Sequence, residues 1–189
     1  MSQLPLTPPQ TVGPFFHYAL PLTDGGQLVV ADDPAAIRIF GTVRDGGGAP
    51  VPDAMIETWQ ANRYGRYAHP EDNRDELELE PGFTGFGRVE MDEAGYFEIV
   101  TVKPGPVPGP NGPMQAPHIE LSLHARGILR HLVTRVYFPD EEAANAADPA
   151  LSAIGDPELA QRLVAAPDDG GLRFDIEIQG TRETPFFVI

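Results

Sequence analysis

The stretch His118-Ile119-Glu120-Leu121-Ser122-Leu123-His124-Ala125 decides the fold. Its apolar residues Ile119, Leu121, Leu123 and Ala125 alternate strictly with the polar residues His118, Glu120, Ser122 and His124. A period of two belongs to a β-strand, whose successive side chains point to opposite faces. The stretch therefore predicts a strand with one face in a core and the other turned to a cleft or an interface. The same alternation runs through Leu132 to Phe138 and through Leu172 to Gln179, where Leu172, Phe174, Ile176 and Ile178 are expected inward.

Upstream, Ile37 to Arg44 and Ala54 to Gln60 read as strands, the first closed by Asp45-Gly46-Gly47-Gly48, whose glycines tolerate the positive φ of a tight turn. Phe86 to Met91 and Tyr96 to Val102 flank Asp92-Glu93-Ala94-Gly95 and predict a hairpin. Residues 61–84 mix charge, proline and glycine and predict a long functional loop carrying Tyr67 and His69. Within it the acidic run Glu76 to Glu80 reads as a solvated face. Residues 1–36 show little periodicity and predict an extended arm that packs on a partner chain, leaving 37–189 as one domain. A helix is expected from the Asp156 cap, with Pro157 in its first turn, to about Ala165, and a shorter helical turn over Glu141 to Ala146. The 20 Gly and 21 Pro, spread along the chain, suit many short strands joined by tight turns. The fold expected is all-β, a sandwich or barrel with few helices.

Composition bounds the function. A hydrophobic content of 41% disfavours disorder. The 28 acidic against 13 basic residues give a net charge of −15, which repels nucleic acid and anionic membranes, so neither is an expected partner. An anionic substrate would need a local cation, and Arg126 is a candidate. Zero cysteines exclude disulfides and thiolate chemistry and fit a reducing cytoplasm. The first residues, Met1-Ser2-Gln3-Leu4-Pro5, have neither the basic region nor the apolar run of a signal peptide. No apolar stretch approaches the ~20 residues of a membrane span.

Several segments together carry a resemblance: Gln10-Thr11-Val12-Gly13-Pro14, Glu57-Thr58-Trp59-Gln60, Gly65-Arg66-Tyr67, Phe86-Gly87-Arg88, Lys103-Pro104-Gly105-Pro106-Val107, Ala116-Pro117-His118-Ile119-Glu120, Tyr137-Phe138 and Arg173-Phe174-Asp175-Ile176. The chain resembles the intradiol ring-cleaving dioxygenases, which hold ferric iron with two tyrosines and a His-x-His pair. Residue by residue, the first tyrosine matches Tyr67 and the first histidine His118. The second tyrosine falls on Val107, which has no donor atom, and the second histidine on Glu120. An arginine that the family places before the first histidine falls at or beside Gln115. The segment His124-Ala125-Arg126-Gly127-Ile128 is similar to the non-catalytic chains of two-chain members.

The resemblance implies a β-sandwich of two sheets with a few short helices and a long N-terminal arm. It implies a structural chain without catalytic residues or a metal of its own, Tyr67, Val107, His118 and Glu120 marking a vestigial metal site. It also implies a homologous beta chain carrying Fe3+, a shared pocket for protocatechuate and O2 completed by Arg126, Thr11, Gly13 and Pro14, and assembly into a higher hetero-oligomer. Two alternatives stay open: a stand-alone ligand-binding sandwich, and an independent metalloenzyme in which Tyr67, His118 and Glu120 hold a divalent ion, a carboxylate beside an imidazole being chemically suited to one. Within the vestigial reading, Glu120 is expected to neutralise or orient His118.

Overall fold

In the computed structural model, the described residues are 8–13, 16–20, 22–30, 32–109 and 112–188. Eleven strands are found among them: β1 Ala36–Arg44, β2 Met55–Trp59, β3 Phe86–Glu90, β4 Tyr96–Val102, β5 Val107–Pro108, β6 Met114–Gln115, β7 His118–His124, β8 Leu132–Tyr137, β9 Ala166–Asp168, β10 Gly171–Arg173 and β11 Ile176–Glu177. Four short helices accompany them: α1 Phe16–Ala19, α2 Glu142–Ala147, α3 Pro149–Ile154 and α4 Pro157–Gln161.

The strands form two main sheets and a small hairpin of β5 and β6. The second sheet is antiparallel, in the order β3-β2-β7-β8. In the first sheet β1 is central, with β4 antiparallel on one side and β10 and β11 running parallel to it. The parallel partner breaks at Phe174–Asp175, where the Asp175 carboxylate takes over the Thr42 amide at 2.9 Å. That break splits the expected strand Leu172 to Gln179 in two, while Phe174 and Ile176 still point inward.

Between the sheets, Ile39, Val43, Phe97 and Ile99 from one side meet Ile56, Ile119, Leu121, Leu123 and Val136 from the other, all at most 1% exposed. The alternation in 118–125 is thus realised as read: Ile119, Leu121, Leu123 and Ala125 are buried in the core. Burying each large side chain of this set stabilises the fold by about 1.5–3 kcal/mol.

The hairpin expected across Asp92–Gly95 is corrected by the structure. The turn forms, with Gly95 at φ 73° and its amide donating to the Asp92 carbonyl at 2.9 Å. Yet β3 pairs with β2 and β4 with β1, so the chain here crosses from one sheet to the other. Both flanking segments carry buried residues, Val89 and Met91 before the turn, Phe97 and Ile99 after it, and two such faces are satisfied by facing each other across a core. Likewise the Asp45–Gly48 turn leads only to a short return at Pro50–Val51, and β2 continues in the other sheet.

Arm residues 22–30 lie over the gap between β3 and β4: Arg88 N donates to Gly25 O at 3.0 Å, and Val100 N to Gly26 O at 2.7 Å. A Cβ on Gly25 would stand 2.0 Å from the Arg88 carbonyl oxygen, so only glycine allows the approach. Helix α4 starts at the Asp156 cap as read but ends at Gln161, because Tyr137 on the edge strand binds Leu163 and Ala165 through their backbone. Helix α3 was not anticipated, although Asp148-Pro149 repeats the Asp-Pro signature that announced α4. No helix among the described residues is long and apolar enough to cross a membrane.

Candidate functional site

Two groups of expected site residues emerge, at opposite ends of β7. His118 opens the strand and Arg126 follows its end, eight residues on, so roughly 25 Å separates them along an extended chain.

The first group occupies the outer face of the second sheet. Cross-strand register aligns Trp59, Glu120 and Arg135 in one row and His118 with Tyr137 in the next. The loop 61–84 folds back over this row. Its Tyr67 ring stacks on Trp59 at 5.7 Å with planes 7° apart, and His69 meets the same indole edge-on at 6.2 Å. Asp72 fastens the loop by accepting from Tyr67 N at 2.8 Å and pairing with Arg74, whose guanidinium holds the carboxyl well below the usual carboxylate range. The open mouth, about 610 Å³, is lined by Trp59, Tyr67, His69, Asp72, Arg74 and Pro108. Val107 is buried on β5, directly opposite the buried Gln115 on β6.

His118 is only 6% exposed, and its Nδ1 lies 2.7 Å from the Ala116 carbonyl. A carbonyl only accepts, so Nδ1 carries the proton and Nε2 keeps its lone pair. Burial, reinforced by the nearby charge of Arg135, depresses the imidazole to a pKa of about 4. Desolvation likewise raises the Tyr67 phenol, which remains protonated at neutral pH. Glu120 does not orient His118, contrary to expectation: its carboxylate lies 3.7 Å from the Arg135 guanidinium, while the backbone orients the imidazole.

A buried carboxylate behind this face, Asp148, ties the group together. Its oxygens accept from Ala150 N and Leu151 N, capping α3, from Ala116 N at 2.8 Å, and from the Tyr137 hydroxyl at 3.2 Å. The same Ala116 residue thus links Asp148 to His118.

The donor set does not fit ferric iron. Val107 offers no atom, Glu120 is engaged by a cation, and the Tyr67 phenol and His118 imidazole alone are too few to hold a hard trivalent ion. A mixed divalent site on Tyr67, His118 and Glu120 fares no better, since the Arg135 guanidinium lies 3.7 Å from the Glu120 carboxylate and its charge disfavours a second cation there.

The second group lies at the far end. Thr11 Oγ1 accepts from Gly127 N at 2.8 Å, so the arm reaches the Arg126 loop, with Gly13 exposed beside it. Pro14 lies outside the described residues. The Arg126 side chain is 64% exposed, and its Nε lies 2.9 Å from Asp53 Oδ2. Next to it a recess of about 550 Å³ is lined by Val12, Ile128, Leu129, Leu132 and Phe187, with Arg130 and His131 also on its wall. His131 stacks on His124 at 5.3 Å. The sequence reading missed Asp53, Arg135 and Asp148; only Asp148, through its Asp-Pro pair, left a local signal.

Comparison with known proteins places these residues in context. A family model described as dioxygenase matches residues 12–180. The chain is 42% identical to the protocatechuate 3,4-dioxygenase alpha chain of Pseudomonas putida, over 97% of this chain and 96% of the relative. It is 38% identical to the protocatechuate 3,4-dioxygenase beta chain of Burkholderia cepacia, over 79% of this chain and 66% of that one. Among solved structures, the dioxygenase domain of a dioxygenase carbohydrate-binding protein fusion from Streptomyces sp. SirexAA-E superposes with a TM-score of 0.58 at 25% identity, covering 82% of this chain and 86% of that one.

Proposed function

This chain belongs to the intradiol ring-cleavage dioxygenases, and we propose that it is the non-catalytic alpha subunit of a protocatechuate 3,4-dioxygenase. The observation that carries the reading is similarity to a named alpha chain over nearly the whole length, in a chain whose cleft lacks the donors for iron. In the assembled enzyme the homologous beta chain holds Fe3+, and protocatechuate is cleaved between its two hydroxyl-bearing carbons. Both atoms of O2 enter the product, 3-carboxy-cis,cis-muconate. This chain contributes Arg126 to the substrate carboxylate and Thr11, Gly13 and Pro14 to the wall of the beta chain's pocket, with the N-terminal arm packing on the beta chain and the pairs assembling further.

Support comes from the far-end group. In a chain of net charge −15, the segment His124–His131 carries two arginines and two histidines and no acid. Such a run of basic residues locally offsets the repulsion that the net charge imposes on an anion. A guanidinium there is suited to a carboxylate through its planar fork. The absence of cysteine suits a cytoplasmic setting.

The test is co-expression with the beta chain and turnover of protocatechuate against catechol. A charge-assisted contact is worth ~1.5–3 kcal/mol, less about 0.5 kcal/mol for releasing Arg126 from its pairing with the half-buried Asp53. Arg126→Ala is therefore expected to lower kcat/KM for protocatechuate roughly 5- to 70-fold, leaving iron content, assembly and catechol turnover unchanged. Equal loss on both substrates, or failure to form a complex with the beta chain, refutes the reading.

A further inference from the structure

The outer face of the second sheet holds a cation that the ligand replacements do not explain. Arg135 is the cross-strand partner of Glu120 on the same face as His118, to which it stands diagonally, within ~7–8 Å by strand spacing. On the other side of Glu120 stands Trp59, with Tyr67 stacked on its ring. The guanidinium is bracketed by the Glu120 carboxylate at 3.7 Å and the Phe187 ring at 5.5 Å, and its side chain is 17% exposed. The Tyr137 hydroxyl, which donates to Asp148 at 3.2 Å, is a further polar neighbour of the guanidinium.

We propose that Arg135 is a resident cation beside Glu120 on the face that carries His118, so that the chain rejects a metal ion at three positions, Val107, Glu120 and Arg135, and not only at the two that lost a ligand. A guanidinium is permanently protonated and has no lone pair to offer. Its positive charge repels any ion brought to Tyr67 and His118 on the same half-buried face. The positive charge it supplies is the one that keeps Glu120 tolerable on a half-buried face. The inference stands on family membership and this geometry alone and does not depend on the subunit reading.

The experiment compares the full chain carrying Val107→Tyr with Glu120→His against the same chain with Arg135→Gln added. Each is exposed to ferrous salt in air, then assayed for iron per chain, for a visible ferric-phenolate band and for thermal unfolding. The double variant is expected to stay nearly iron-free and colourless, and the triple variant to take up close to stoichiometric iron with the band. Stoichiometric iron in the double variant, or a folded triple variant that stays iron-free, overturns the proposal. A second measurement serves if the triple variant fails to fold: Arg135→Gln alone should lower Tm, and adding Glu120→Gln should restore most of the loss. Additive losses in that cycle would show that Arg135 is not the cation Glu120 requires, and would overturn the proposal too. Neither readout involves the beta chain, so failure here is distinct from failure of the subunit assignment.

Discussion

Replacing Asp148 by alanine removes the acceptor for four hydrogen bonds at a position that is 0% exposed. Loss of the α3 cap costs about 1 kcal/mol, in the range 0.5–2. The Ala116 amide is left buried without a partner, which costs about 1–3 kcal/mol, and the Tyr137 hydroxyl adds a similar but smaller amount because it can rotate. Relief from burying a carboxylate offsets part of this, so the expected net loss is about 3–5 kcal/mol. For a domain of this size each kcal/mol lowers Tm by ~2–4 °C, giving a drop of roughly 6–20 °C. Asparagine discriminates further. Its single carbonyl can cap α3 or meet Ala116, but its amide then points a donor at a donor, so Asp148→Asn should fall between wild type and Asp148→Ala. Thermal unfolding at pH 7, followed by far-ultraviolet circular dichroism, measures both. A loss below about 2 °C for Asp148→Ala, on the same scale, or equal losses for both variants, would refute the view that one carboxyl group bridges the α3 cap and the His118 approach.

Because the folded pKa of His118, about 4, lies below the ~6.5 of an unfolded histidine, its contribution to stability is full above pH 6.5 and is lost as pH falls toward 4; the span corresponds to about 3 kcal/mol, and His118→Asn should flatten the fall in Tm between pH 7 and 4.5. Gly65 has φ 82°, and a Cβ there would stand 2.3 Å from the Pro106 carbonyl oxygen, so Gly65→Ala should displace the Tyr67 loop from β5 and quench less of the Trp59 fluorescence through Tyr67 stacking, with a Tm loss corresponding to about 1–3 kcal/mol. Unchanged fluorescence and stability would refute the packing argument. Asp53→Asn releases Arg126 from its anchor; in the assembled enzyme this should leave kcat/KM for protocatechuate equal or higher, and a loss as large as that of Arg126→Ala would make Asp53 part of the carboxylate site in place of a competitor for it.

The core was legible wherever one side chain's neighbours along the chain determined its environment. Alternation in 118–125 fixes which residues face inward, because a strand reverses its side-chain direction at every residue; the Asp156-Pro157 cap likewise is a local event. The Asp92–Gly95 hairpin misled for the complementary reason. A turn and two alternating runs are compatible both with pairing and with facing across a core, and only the burial of Val89, Met91, Phe97 and Ile99 on opposite sheets selects the second.

Within the cleft, sequence alone determined that the positions where the resemblance expects a second tyrosine and a second histidine carry Val107 and Glu120, since the identity of an atom donor is a property of the residue. What the residue cannot show is who stands opposite it. That Glu120 answers to Arg135 and not to His118, that Ala116 is held by Asp148 from 32 residues away, and that Thr11 meets Gly127 across 116 residues are decided by strand register and chain reversal. Those pairings have no local signal, because a cross-strand neighbour is chosen by the packing of two sheets on one core and not by any spacing along the chain.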